Sequence, residues 1–187
     1  MKHSSKGKMT TEVPSSSPYT IDAVTSQDGT TIGYRQFGHG PGLLLVHGGM
    51  MTSQNFLKLA IALSNEFTVY VYDRRGRGLS GSYGENYSMK KECEDLDALL
   101  CKTGADKVFG VSSGALVALQ AAFMLPAIHK VALYEPPLPL NDHPSPTAWV
   151  APYEQSLARG NLGAAMVSII KGTGDSSLLT VLPCSLL

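Results

Sequence analysis

The strongest chemical signal in the chain is five residues long: Gly110-Val111-Ser112-Ser113-Gly114, a serine with glycine two places away on either side. The apolar run Lys107–Val111 precedes it, and a helix of small apolar residues, Gly114–Leu125, is expected after it. A serine at such a strand-to-helix turn takes a strained backbone and projects its Oγ past the end of the sheet, where it can attack an acyl carbon. The register selects Ser112. Its flanks Gly110 and Gly114 let strand and helix approach, whereas Ser113 would have Val111 in the first of these places and crowd the turn. The competing reading is an ordinary turn that uses serine as a helix N-cap.

Two further segments bear on the same chemistry. Val46-His47-Gly48-Gly49-Met50 closes an apolar strand, and its glycine-rich backbone can aim an N–H at an oxygen that becomes negative during acyl transfer. The N–H of Ser113 would be a second donor. His47 is read as a residue that holds this loop rather than as a base, because it precedes the nucleophile and belongs to the glycine motif. The third segment is Asp73-Arg74-Arg75-Gly76-Arg77-Gly78-Leu79-Ser80. Extended to Gly81, it satisfies G-x-G-x-x-G. That dinucleotide fingerprint needs a helix opening at its last glycines, and Ser82–Asn86 has loop composition instead, so nucleotide binding is not expected.

The elements that must position these residues follow from periodicity. Tyr19–Thr25 and Thr30–Phe37 read as an antiparallel hairpin turning at Asp28-Gly29. Leu43–Val46 is uniformly apolar, as a strand covered on both faces should be. A helix is expected over Gln54–Leu63, a strand over Phe67–Tyr72, and a helix over Tyr87–Lys102 with Met89, Cys93, Leu96 and Leu99/Leu100 as its apolar stripe and acids opposite. The strand Lys107–Val111, the helix Gly114–Leu125 and the strand Lys130–Tyr134 complete an alternation that signals a parallel sheet with helices on its faces. A proline cluster follows Glu135, then helical stretches at Tyr153–Arg159, Leu162–Lys171 and Ser177–Leu187.

Composition sets the outer limits. The chain has 187 residues, 43% hydrophobic and 16% charged, with 15 Lys+Arg against 15 Asp+Glu. That length suits one core, and the balanced charge leaves no electrostatic footprint for nucleic acid. No apolar run reaches the ~18 residues of a membrane span. Residues 1–18 read as a disordered leader, basic at the start but without the apolar stretch of a secretory signal; a Ser-rich transit peptide is the alternative. Cys93, Cys101 and Cys184 are odd in number and lack C-x-x-C spacing, which argues against a disulfide framework and a zinc site. An intracellular, cytoplasmic protein without metal or cofactor is expected.

Taken together, the His-Gly-Gly loop, the D-x-R-G-x-G-x-S segment and the G-x-S-x-G turn, in that order after successive strands, resemble the α/β-hydrolase family. Tyr134-Glu135-Pro136-Pro137 followed by helices is similar to members with a helical lid. The fold implied is an incomplete α/β-hydrolase fold: a mostly parallel sheet of about six strands, flanking helices and a partial lid, with a core over residues 19–140 and the lid over 141–187. By resemblance Ser112 is the nucleophile, Gly49 (or Met50) and Ser113 give backbone oxyanion donors, and His47, Gly48, Gly110, Gly114, Asp73 and Arg75 support the motif. A serine at this place favours small apolar esters, thioesters, lactones or amides over dehalogenase and epoxide hydrolase chemistry. Trp149, Tyr153 and Met166 would line the pocket or simply pack the lid.

A serine needs a base, and the base needs a carboxylate to orient it. The resemblance places the acid after a seventh strand and the histidine after an eighth, but only 75 residues follow Ser112. Of the later histidines, His129 precedes the sixth strand and His143 sits among the prolines. Glu135 is at the correct end of the sixth strand to serve as the acid, or else supports the loop or gates the pocket. The expectation is therefore a truncated hydrolase with almost no activity and an open, self-associating sheet edge. The alternatives are a non-catalytic ligand-binding module and an interaction fragment.

Overall fold

The structure is a computed structural model that describes residues 18–138 and 148–173. The chain divides into two compact units, Met1–Pro136 and Pro137–Leu187. The first holds a six-stranded sheet: β1 Thr20–Thr25, β2 Thr31–Phe37, β3 Gly42–Val46, β4 Thr68–Tyr72, β5 Lys107–Val111 and β6 Lys130–Tyr134, in spatial order β1-β2-β4-β3-β5-β6. β1, β2 and β4 pair antiparallel; β4, β3, β5 and β6 run parallel. Most of the expected leader, the prolines around His143 and the expected helix Ser177–Leu187 lie outside the described residues.

The apolar run of β3 is explained by its two covered faces. Leu44 and Val46 pack in one cluster with Tyr70, Tyr72, Leu96, Leu99 and Val117, beneath helices α2 Met89–Thr103 and α3 Ser113–Met124. Leu45 faces the other side with Val69, Val71, Phe56 and Ala60, beneath helix α1 Leu57–Leu63. Successive strand residues point to opposite faces, so a strand sandwiched between helices must be apolar throughout.

Three boundaries differ from the expectation, each for a local reason. α1 is preceded by a separate 3-10 turn, Ser53–Phe56, because the Ser53 N–H is drawn to the Asp73 carboxylate at 2.6 Å. α2 starts at Met89 rather than Tyr87: Ser88 is extended (φ −154°) and caps the helix by accepting from the Lys91 N–H. In the second unit, helix α4 spans Val150–Ala158 and helix α5 Leu162–Thr173. α4 starts before Pro152, which is tolerated in a first helical turn because its missing N–H would have had no intrahelical partner.

The acids of α2 correct the expectation more sharply. Glu92 and Asp95 are buried beside the apolar stripe, not displayed on the opposite face, while Met89 is exposed. Each acid meets an arginine of the loop after β4. Arg74 Nε and Nη2 grip Glu92 at 2.7–3.1 Å, and Arg75 Nε and Nη2 hold Asp95 at 2.8 and 2.6 Å. Two planar guanidinium–carboxylate forks thus tie the loop to α2 inside the core.

Candidate active site

Ser112 lies between β5 and α3 with φ 53° and ψ −124°, a left-handed backbone that a residue with a side chain adopts only when its surroundings enforce it. Its N–H donates to Tyr134 O at the end of β6 (2.9 Å), and its carbonyl accepts from Ala115 at the start of α3 (2.9 Å). Its side chain makes no capping bond, which removes the N-cap reading. Ser112 is exposed, and among the described residues nothing hydrogen-bonds to its Oγ. Ser113 instead begins the helix proper, with its Oγ held by Arg74 Nη1 at 3.0 Å.

Close approach dictates the two glycines. A Cβ on Gly114 would sit 2.4 Å from both Val46 O and His47 O; one on Gly110 would sit 2.6 Å from Gly114 O. Backbone atoms cannot retreat as a flexible side chain can, so both places exclude any larger residue. The turn is therefore wedged directly against the loop that closes β3.

That loop is braced from below. His47 is fully buried, its Nε2 accepts from the Arg74 N–H (3.1 Å) and its Nδ1 donates to Gly48 O (3.0 Å). Burial, with the charges of Arg74 and Arg77 nearby, holds its pKa down to about 4, so the ring is neutral near pH 7 with both nitrogens engaged. His47 thus braces the loop through both ring nitrogens. Arg74 Nη1 also reaches His47 O at 3.2 Å, and Tyr87 Oη donates to Glu92 at 2.6 Å. Burial pushes Glu92 up, but Arg74 and Tyr87 outweigh it and the carboxyl stays below its ordinary range. Met50 has φ 52° where the loop leaves the site.

Gly49 and Ser113 are neighbours across this gap: a Cβ built on Gly49 would lie 3.7 Å from Ser113 Oγ. Among the described residues, neither backbone N–H has an acceptor. Two free N–H groups beside a projecting hydroxyl can stabilise an oxyanion formed when that hydroxyl attacks a carbonyl.

Asp73 and Arg75 support the site at a distance. Asp73 accepts from the N–H groups of Ser53 and Leu79 (3.0 Å) and from Arg35, which also donates to Ser53 Oγ; Arg75, buried between Asp95 and Asp28, stays charged. The dinucleotide-like glycines serve this packing. No helix opens at Gly81, and a Cβ on Gly78 would fall 2.3 Å from the Asp73 carboxylate. The sequence reading missed Arg74, Glu92 and Tyr87. The arginine pair after a strand and the acids three apart on the next helix are compatible with this pairing, but only the path of the loop shows that they meet.

Among the described residues no histidine lies beside Ser112. His129 precedes β6 at the end of the sheet opposite Ser112 and binds Asp106 at 3.2 Å, and His39 lies in the turn before β3, at that same far end. Glu135 follows β6 with φ 49°, next to the carbonyl that receives the Ser112 N–H. Among the described residues it has no histidine to orient. In the second unit Trp149 and Tyr153 stack edge to face at 6.0 Å, Trp149 packs against Gly172, and Met166 is exposed. Among the described residues no group of three or more His, Cys, Asp or Glu could hold a metal, and no helix is long and apolar enough to cross a membrane.

Comparison with known proteins agrees with this geometry. The sequence profile of the alpha/beta hydrolase family matches residues 43–179. The chain belongs to the alpha/beta hydrolase family. Within it, the chain is similar to the uncharacterized hydrolase YraK of Bacillus subtilis (strain 168), 37% identical over 123 residues, 63% of this chain and 45% of that one. It is 34% identical over 98 residues, 51% of this chain and 35% of the relative, to 2-(acetamidomethylene)succinate hydrolase of Mesorhizobium japonicum. The crystal structure of an alpha/beta hydrolase from Sphaerobacter thermophilus superimposes with a TM-score of 0.75 at 38% identity, covering 81% of this chain and 60% of that one. The chain thus spans less than half the length of the curated hydrolases it matches.

Proposed function

We propose that Ser112 is the nucleophile of an acyl-transfer site, with the Gly49 and Ser113 N–H groups as its oxyanion donors. The substrate class is a small apolar ester, thioester, lactone or amide. One observation carries this reading: a left-handed serine, wedged between two glycines that admit no Cβ, with its Oγ free beside two unpaired N–H groups. The likeness to several hydrolases supports the reaction type. Helices α4 and α5 belong to a lid, with Trp149 packed against Tyr153 and Gly172.

With no histidine beside Ser112 among the described residues, the same reading makes attack by this serine slow. A serine without its histidine loses roughly 10⁶-fold in turnover, keeping about 10³–10⁴ over water from the remaining site. Glu135 then supports the loop. The exposed, apolar β6 promotes association between copies, since unpaired strand edges template pairing.

Mass spectrometry after exposure to a fluorophosphonate tests both parts. Slow modification confined to Ser112, and lost in Ser112→Ala, is the expected result. Modification spread equally over serines removes the nucleophile; rapid stoichiometric labelling contradicts the slow attack.

A further inference from the structure

Arg77 occupies the place between Gly76 and Gly78 in the loop after β4. Its Nη1 donates to Gly48 O at 3.0 Å, and its Nε reaches Tyr83 Oη at 3.3 Å. The same Gly48 oxygen accepts from His47 Nδ1. That carbonyl and the Gly49 N–H belong to one planar trans peptide, in which the C=O and the N–H point to opposite sides. Fixing the oxygen therefore fixes the hydrogen.

The peptide has little else to hold it. Gly48 and Gly49 lack the Cβ atoms that would resist rotation of the plane between them, and Gly49 is exposed. Arg74 does not substitute, because its guanidinium is spent on His47 O, Ser113 Oγ and Glu92. Without Arg77, His47 Nδ1 is the one remaining side-chain donor to the Gly48 oxygen among the described residues, and it comes from the adjacent residue.

We propose that Arg77 is a positioning residue that locks the Gly48–Gly49 peptide and so presents the Gly49 N–H on the side away from the loop after β4. The proposal rests on Gly49 being an oxyanion donor. It assigns to Arg77 the orientation of that donor, not contact with substrate.

The test compares the full chain with Arg77→Met and Arg77→Lys. In carbon and nitrogen NMR, Arg77→Met moves the Gly48 carbonyl carbon upfield and broadens or splits the Gly49 amide. The Ser112 amide, bonded to Tyr134 O, stays in place, and Arg77→Lys restores the Gly48 and Gly49 signals. Gly48 and Gly49 resonances that superpose on those of the parent overturn the proposal. The fluorophosphonate rate at Ser112, measured at pH 9, falls about ten-fold or more in Arg77→Met at unchanged melting temperature, and Arg77→Lys recovers it. Equal rates in all three also overturn it. Resonances that shift as expected while Ser112 reacts no faster than other serines leave the lock standing and refute the nucleophile instead.

Discussion

Strands β5 and β6 run side by side in one parallel ladder, yet they end in opposite conditions. At the end of β5, backbone contacts, the Arg74–Glu92 fork and a buried imidazole hold the Ser112 turn against the base of the loop that closes β3. Along β6, Val131 and Tyr134 are 39% and 55% exposed, and an apolar groove of about 520 Å³ runs past Leu43, Leu63, Phe67, Phe109 and Val131. In the first region Gly110 and Gly114 tolerate no Cβ; the second, among the described residues, is left uncovered. The difference shows that the turn does not owe its geometry to whatever covers β6. Its one contact from β6 is Tyr134 O, which accepts the Ser112 N–H at 2.9 Å; its other contacts come from β3, the loop after β4, and α3.

Substitutions can set these regions apart. The largest effect is expected from Gly114→Ala, whose Cβ meets two backbone oxygens at 2.4 Å. A loss of at least about 4 kcal/mol, enough to unfold a marginal domain, should appear as the absence of a cooperative urea transition. Next comes Arg75→Met, which strands the fully buried Asp95; about 3–4 kcal/mol should be lost in the same assay.

Acid gives a third, graded effect. His47 is held down at about pKa 4, against 6.5 for a free imidazole. Between those values only the unfolded chain takes up the proton, so stability is unaffected above pH 6.5 and falls as pH drops toward 4. The loss is roughly 3 kcal/mol across that window. His47→Gln, which can still accept from the Arg74 N–H, should flatten that limb of a stability–pH curve. The smallest effect belongs to the other region: Val131→Lys should change stability by less than about 0.5 kcal/mol while reducing association seen by light scattering. A comparable stability loss at β6 and at the turn would erase the contrast.

Much of the fold was legible because its signals are local and periodic. The uniform apolarity of Leu43–Val46 requires two covered faces, and the glycines at 110 and 114 flag a close approach before any coordinates exist. The roles of Arg74, Arg77 and Glu92 were not legible, because a charged residue looks solvated until the path of the loop after β4 is known. The acids of α2 were misplaced for the same reason: helical periodicity assigns a face, but it cannot anticipate that buried arginines wait there. The start of α4 was hidden by Pro152, whose tolerance depends on its place within the first turn.

The central claim is that Ser112 is held at a strained turn with no imidazole beside its Oγ among the described residues. The pH dependence of fluorophosphonate modification at Ser112 tests it most directly. With hydroxide as the acceptor, the rate should be slow at pH 7 and climb about ten-fold per pH unit up to pH 10. A fast reaction that levels off near pH 7 would reveal a histidine base and contradict the account.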